Sequence, residues 1–110
     1  KKLLFLGVAY KKNIDDLRES GSIKLAEKMQ NLKYKNILFS DPHIKKITNK
    51  KSIFKNNLSL KLSKKNLESF DLVILLTDHD KFDYQFIKTH SKVIFDCRGK
   101  YKVSKNIFRI

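Results

Sequence analysis

One cysteine in 110 residues, Cys97, excludes an internal disulfide and fits a reducing, cytoplasmic setting. Long apolar runs are also missing. The longest, Leu72 to Leu76, is far below the roughly 20 residues of a membrane-spanning helix, so no membrane partner is expected. Leu3 to Tyr10 is too short for the apolar stretch of a secretory signal, and no small-residue cleavage site follows it. Arginine is scarce: of 25 Lys and Arg, only Arg18, Arg98 and Arg109 are arginine. The formal charge of +14 is therefore a diffuse lysine surface. Dedicated readers of bases and phosphates favour the planar arginine fork, so a basic α/β nucleic-acid-binding module is the alternative reading rather than the leading one. General attraction to polyanions remains expected. With three glycines, the chain has no G-x-G-x-x-G dinucleotide fingerprint after its first apolar run.

What is present reads as one soluble domain spanning residues 1–110, with 41% hydrophobic and 33% charged residues and room for a single core. Leu3 to Val8 is nearly continuous apolar sequence, as in a strand buried on both faces. From Ser20, the spacing of Ile23, Leu25, Ala26, Met29 and Leu32 predicts an amphipathic helix. Ser20 suits the N-cap, and Asp15, Asp16 and Glu19 place negative charge at the helix start. Asn36 to Ser40 reads as a second strand stopped by Asp41-Pro42, completing a β-α-β unit. Residues 43–66 are the least decided, read as a loop with a short strand near Leu60 to Leu62 and then a helix from Ser63 to Ser69. Asp71 to Thr77 is the clearest buried strand, Phe82, Phe86 and Ile87 suggest a helix ending near His90, and Lys92 to Asp96 is the last firm strand. The residues after Gly99 read as a short basic extension. Alternating strands and helices imply an α/β fold, a three-layer sandwich with a mostly parallel, Rossmann-like sheet.

In such a sheet, ligands bind beyond the carboxyl ends of the strands, which draws attention to Tyr10 to Ser20, Asp41 to Ile44, Thr77 to Asp80 and Asp96 to Gly99. The loop from Gly7 to Ser20 joins a buried strand to a helix N-terminus, where Lys11 and Arg18 would add charge-assisted bonds to an anion. The alternative is that its acids cap the helix while Lys11, Lys12 and Arg18 are solvated. Arg98 would grip a phosphate or carboxylate bidentately, or else pair with Asp96 or Asp78. Thr77-Asp78-His79-Asp80 supplies too few convergent ligands for a metal and reads as a structural loop, as does the Asp41-Pro42-His43 turn. His43 and His90 read as surface residues, and Cys97 as packing rather than a nucleophile.

Five of these segments, in this order, resemble the C-terminal domain of the UDP-glucose/GDP-mannose dehydrogenase family. They are Gly7 to Lys11, Asp15 to Ser20, Ser40 to Ile44, Leu75 to Asp80 and Ile94 to Gly99, and the resemblance reaches about Tyr101. Tyr10, His43-Ile44 and Asp80 to Tyr84 are most similar to the UDP-N-acetylglucosamine 6-dehydrogenase branch. The resemblance implies an oxidoreductase that converts a UDP-sugar to its uronic acid for polysaccharide precursors, consuming two NAD per sugar. It implies a homo-oligomer whose NAD-binding and central catalytic domains are absent from these residues, so that the domain would not turn over alone. By the same resemblance, Tyr10, Lys11 and Arg98 face the UDP-sugar and Arg18 reaches the cofactor NAD, while no catalytic residue or metal ligand lies in this chain and Cys97 is not the nucleophile. Gly21 stands where relatives usually carry proline, which should loosen the helix start by up to about 1 kcal/mol. A receiver-like signalling domain is a third reading, but Ala9 to Ile14 separate Val8 from the acidic pair it would need directly after the first strand.

Overall fold

Leu3, Leu4, Phe5 and Leu6 are all at most 1% exposed, which requires layers of protein on both faces of the strand that carries them. The computed structural model, which describes residues 2–8, 21–31, 36–47, 54 and 58–109, supplies those layers. Its elements run β1 (Lys2–Leu6), α1 (Gly21–Asn31), β2 (Asn36–Ser40), α2 (Lys64–Ser69), β3 (Leu72–Leu75), α3 (Tyr84–His90), β4 (Ile94–Asp96) and β5 (Ile107–Arg109). The five strands form one sheet in the order β2-β1-β3-β4-β5, and every pairing is parallel.

Side-chain alternation sorts the core into two halves. Leu3 and Phe5 join Ile37, Phe39 and Ile74 under Leu25 and Met29 of α1. Leu4 and Leu6 join Val73, Leu75, Ile94 and Ile107 against Leu67 of α2 and Ile87 of α3. Each such side chain contributes roughly 1.5–3 kcal/mol when fully buried, so the central strands hold the layers together. The result is the three-layer α/β sandwich expected, with a wholly parallel sheet. The helices that cover the second face are each capped by a side chain: the Ser63 hydroxyl accepts the Asn66 N–H and the Asp83 carboxylate accepts the Phe86 N–H, each at 3.1 Å. α1 begins at Gly21, whereas the proposed cap at Ser20 and its acids, like Ile23, Ala26 and Leu32 on its apolar stripe, lie outside the described residues or side chains.

Two expectations are corrected. Leu60 to Leu62 is not a strand: Leu60 donates to the Phe39 carbonyl, but the Ser59 hydroxyl bonds both the N–H and the carbonyl of Asp41, so a side chain occupies the positions a ladder would continue through. The segment after Gly99 is not a mere basic extension, because Ile107–Arg109 pairs with β4 as a fifth strand. Only Ile107 of its three residues is buried, and one apolar contact among lysines is too little pattern to read as a strand. Within the undecided stretch, Ile44, Ile47 and Phe54 are core residues. Phe82 is buried just before α3 rather than inside it.

Candidate functional site

With this strand order, β1 connects outward to β2 on one side while β3 lies on the other, so the switch point of the sheet falls between β1 and β3. The two strand ends meet closely there. Gly7 has φ +82°, its N–H donates to the Ser40 carbonyl at 2.9 Å, and a Cβ on it would sit 2.5 Å from Thr77 Cβ. Glycine is what lets the chain turn here, against β3, into the segment that carries Tyr10, Lys11 and Arg18. Those three residues lie outside the described residues.

Val8, the last described residue before that segment, donates its N–H to Asp41 Oδ2 at 2.8 Å. The Asp41 side chain is inaccessible to solvent and also accepts the N–H groups of His43 (2.8 Å) and Ile44 (3.1 Å), while His79 Nε2 stands 3.0 Å from Oδ2. Four donors suit an acceptor-only carboxylate with its lone pairs divided over two oxygens. His79 is fully buried, its ring 4.7 Å from that of His43 and 5.7 Å from that of Phe82. The Asp41–His79 pair joins the ends of β2 and β3. Reading the two turns separately as structural missed their contact across 38 positions; the signal was an acid and a histidine each just beyond a strand on the same edge. His43 is likewise not a plain surface residue, since its Nε2 is shielded from solvent and has no hydrogen-bond partner among the described residues.

Arg98 lies on this same carboxyl edge, beyond β4. Its Nε donates to the Leu76 carbonyl at 2.7 Å, and the residue is exposed. The pairing of Arg98 with Asp96 is not formed: the fully buried Asp96 carboxylate accepts the backbone N–H groups of Arg98 (3.0 Å) and Tyr101 (2.7 Å) instead. A guanidinium tethered at Nε keeps its outer fork for a bidentate acceptor. Beside Arg98, burial and then Asp96 push the Cys97 thiol up, against a smaller opposing effect of Arg98. A raised thiol pKa means little thiolate, so Cys97 is expected to alkylate with iodoacetamide at pH 8 about fivefold or more slower than a free cysteine; a rate matching the free thiol would refute this.

Among the described residues, no group of three or more His, Cys, Asp or Glu side chains is placed to hold a metal ion, and no helix is long and apolar enough to cross a membrane. A groove of about 770 Å³ lies to one side of the switch point, lined by Pro42, Lys45, Leu60, Lys81, Phe82 and Phe86 among others, and Arg98 is not part of it.

Residues 4–103 match the model of the UDP-glucose/GDP-mannose dehydrogenase family, UDP binding domain. The chain is 32% identical over 100 residues to the NDP-N-acetyl-D-galactosaminuronic acid dehydrogenase of Ralstonia solanacearum, covering 90% of this chain and 23% of that protein. It is 35% identical over 81 residues to the UDP-N-acetyl-D-mannosamine dehydrogenase of Campylobacter jejuni, covering 74% of this chain and 20% of that one. Its fold is that of part of the UDP-D-ManNAc dehydrogenase of Pyrococcus horikoshii (TM-score 0.70, 24% identity, 99% of this chain and 25% of that chain). The GDP-mannose dehydrogenase of Pseudomonas aeruginosa shares it as well (TM-score 0.72, 20% identity, 98% of this chain and 27% of that chain). The chain thus spans about a quarter of the length of these relatives. With that match over nearly all of its length, this chain belongs to the UDP-glucose/GDP-mannose dehydrogenase family, as its UDP binding domain.

Proposed function

We propose that this chain is the nucleotide-sugar-binding portion of an NAD-dependent dehydrogenase that oxidises the C6 alcohol of a UDP-sugar to a carboxylate. The observation that carries the reading is Arg98, held by its Nε on the carboxyl edge of a parallel sheet, with only β3 between its own strand and the switch point. Lys11 and Arg98 grip the diphosphate, Tyr10 lies beside the UDP-sugar, and Arg18 reaches toward the cofactor. The chemistry belongs to other parts of the full polypeptide, and with them this domain encloses the substrate and excludes water. NAD is bound by one of those parts: Gly7 is the only glycine of this chain's first strand-to-helix turn, too few to cradle a pyrophosphate in the G-x-G-x-x-G manner. The names of the relatives, dehydrogenases of N-acetylated galactosaminuronic acid and mannosamine nucleotides, support an N-acetylated hexosamine nucleotide as substrate, and the resemblance of Tyr10, His43-Ile44 and Asp80 to Tyr84 points within that class to UDP-N-acetylglucosamine. The full enzyme is a cytoplasmic homo-oligomer.

Lys11→Ala and Arg98→Ala in the full polypeptide are each expected to weaken UDP-sugar binding by roughly 2 kcal/mol, about thirtyfold, as for a lost charge-assisted bond. Calorimetry showing unchanged affinity in both variants would remove the assignment. Steep salt-dependent binding to mixed-sequence DNA with no response to UDP would instead favour the nucleic-acid reading that the lysine surface invites.

A further inference from the structure

The bond from Arg98 Nε to the Leu76 carbonyl fixes one atom of a long, rotatable side chain. Where the outer fork then points depends on where the Arg98 backbone stands, and that is set by the turn from residue 97 to residue 101. Two charged side chains hold this turn. Asp96 and Arg109 are register partners on β4 and β5, so both leave the sheet on the same face. Asp96, fully buried, takes the donors of the turn: Oδ1 accepts the Arg98 N–H at 3.0 Å and Oδ2 the Tyr101 N–H at 2.7 Å. Arg109, exposed, takes its acceptors: Nη2 donates to the carbonyls of Gly99 (3.4 Å) and Tyr101 (3.1 Å). Between them Gly99 has φ +71°, a left-handed conformation that lets so short a turn close.

Each of the two side chains has a charge that neither spends on the other. Burying a carboxylate on backbone donors alone is costly, and a neutral amide would remove the charge. An amide, however, accepts from only one of the two N–H groups and turns its own NH2 toward the other, whereas a carboxylate accepts at both oxygens. The charge at Asp96 therefore fixes both ends of the turn at once. Arg109 does the converse from an exposed position, where no burial requirement holds it against the carbonyls.

We propose that Asp96 and Arg109 are positioning residues: together they clamp the 97–101 turn and so set where the Arg98 fork meets the nucleotide diphosphate, which neither of them touches. This rests on the function proposed above. The test is the binding of UDP to the full polypeptide, followed by calorimetry, beside KM and kcat for the UDP-sugar. Arg109→Ala removes an exposed side chain, and Asp96→Asn keeps the shape of a buried one. Each is expected to weaken UDP binding about fivefold and to raise KM in step while kcat stays within about twofold, the pattern of lost binding shared by ground and transition states. Because the clamp acts through Arg98, adding Arg109→Ala to Arg98→Ala should cost less than about twofold beyond the loss of about thirtyfold expected of Arg98→Ala alone, where independent effects would multiply to about 150-fold. Unchanged UDP affinity in either folded variant, with only the melting temperature lowered, overturns the proposal. So does multiplication in the double variant, which would make Arg109 a ligand contact in its own right. If Asp96→Asn does not fold, Arg109→Ala alone decides. If Arg98→Ala leaves UDP binding unchanged, the site assignment falls first; if it weakens binding while Arg109→Ala does not, the clamp alone is wrong.

Discussion

Gly7→Ala is expected to destabilise the fold by roughly 3 kcal/mol or more, one of the largest effects available from adding a single methyl group. Two costs combine. At φ +82° an L residue pays for a left-handed backbone, by roughly 1–2 kcal/mol. The new Cβ would also stand 2.6 Å from the carbonyl oxygen and 2.9 Å from the nitrogen of Thr77, besides 2.5 Å from its Cβ. Two of those three atoms are backbone, held by bonds from Leu76 and Thr77 N–H to the Leu6 carbonyl, so β3 would have to part from β1 to make room. Thermal unfolding should register a drop of about 12 °C or more for a domain of this size. A drop below about 4 °C with UDP-sugar affinity lost would show that Gly7 serves ligand approach rather than the meeting of two strands.

Ile107→Asp is the second large effect. Ile107 is fully buried, registers beside Ile94 and belongs to the apolar cluster under α3, so a carboxylate there has no described counter-charge and no water. Destabilisation of about 4 kcal/mol is expected, against less than about 1 kcal/mol for Phe108→Asp, the neighbouring residue that is 46% exposed. Urea titration of both variants is the measurement. Equal, small shifts would return the C-terminal residues to the status of a solvated extension and remove β5 from the sheet.

How far this was legible depends on what each residue faces. Leu3 to Leu6 and Leu72 to Leu75 announce themselves because strands buried on both faces need no polar alternation, and Ser63 marks a helix start because its side chain satisfies a free N–H group locally. The parallel sheet and its carboxyl edge follow from the alternation of such elements. β5 was hidden for the opposite reason: an edge strand with one buried residue has almost no hydrophobic period. Ile44, Ile47 and Phe54 are core residues in irregular backbone, where burial follows no spacing at all. At the site, Arg98 was legible as a strand-end cation, but its tether to Leu76 was not, since a side chain that bonds a distant carbonyl leaves no trace in composition. The same holds for Asp41 and His79. Each is polar and loop-like by itself, and only folding makes the 3.0 Å contact between them.

The brevity of β5 carries a consequence for how copies of this domain meet. Its described outer rim offers three residues, and Arg109 folds back to donate to the carbonyls of Gly99 and Tyr101. A stub of that length, bearing a cation, is a poor template for another chain to extend across. Growth of a continuous intermolecular ribbon from this side is disfavoured.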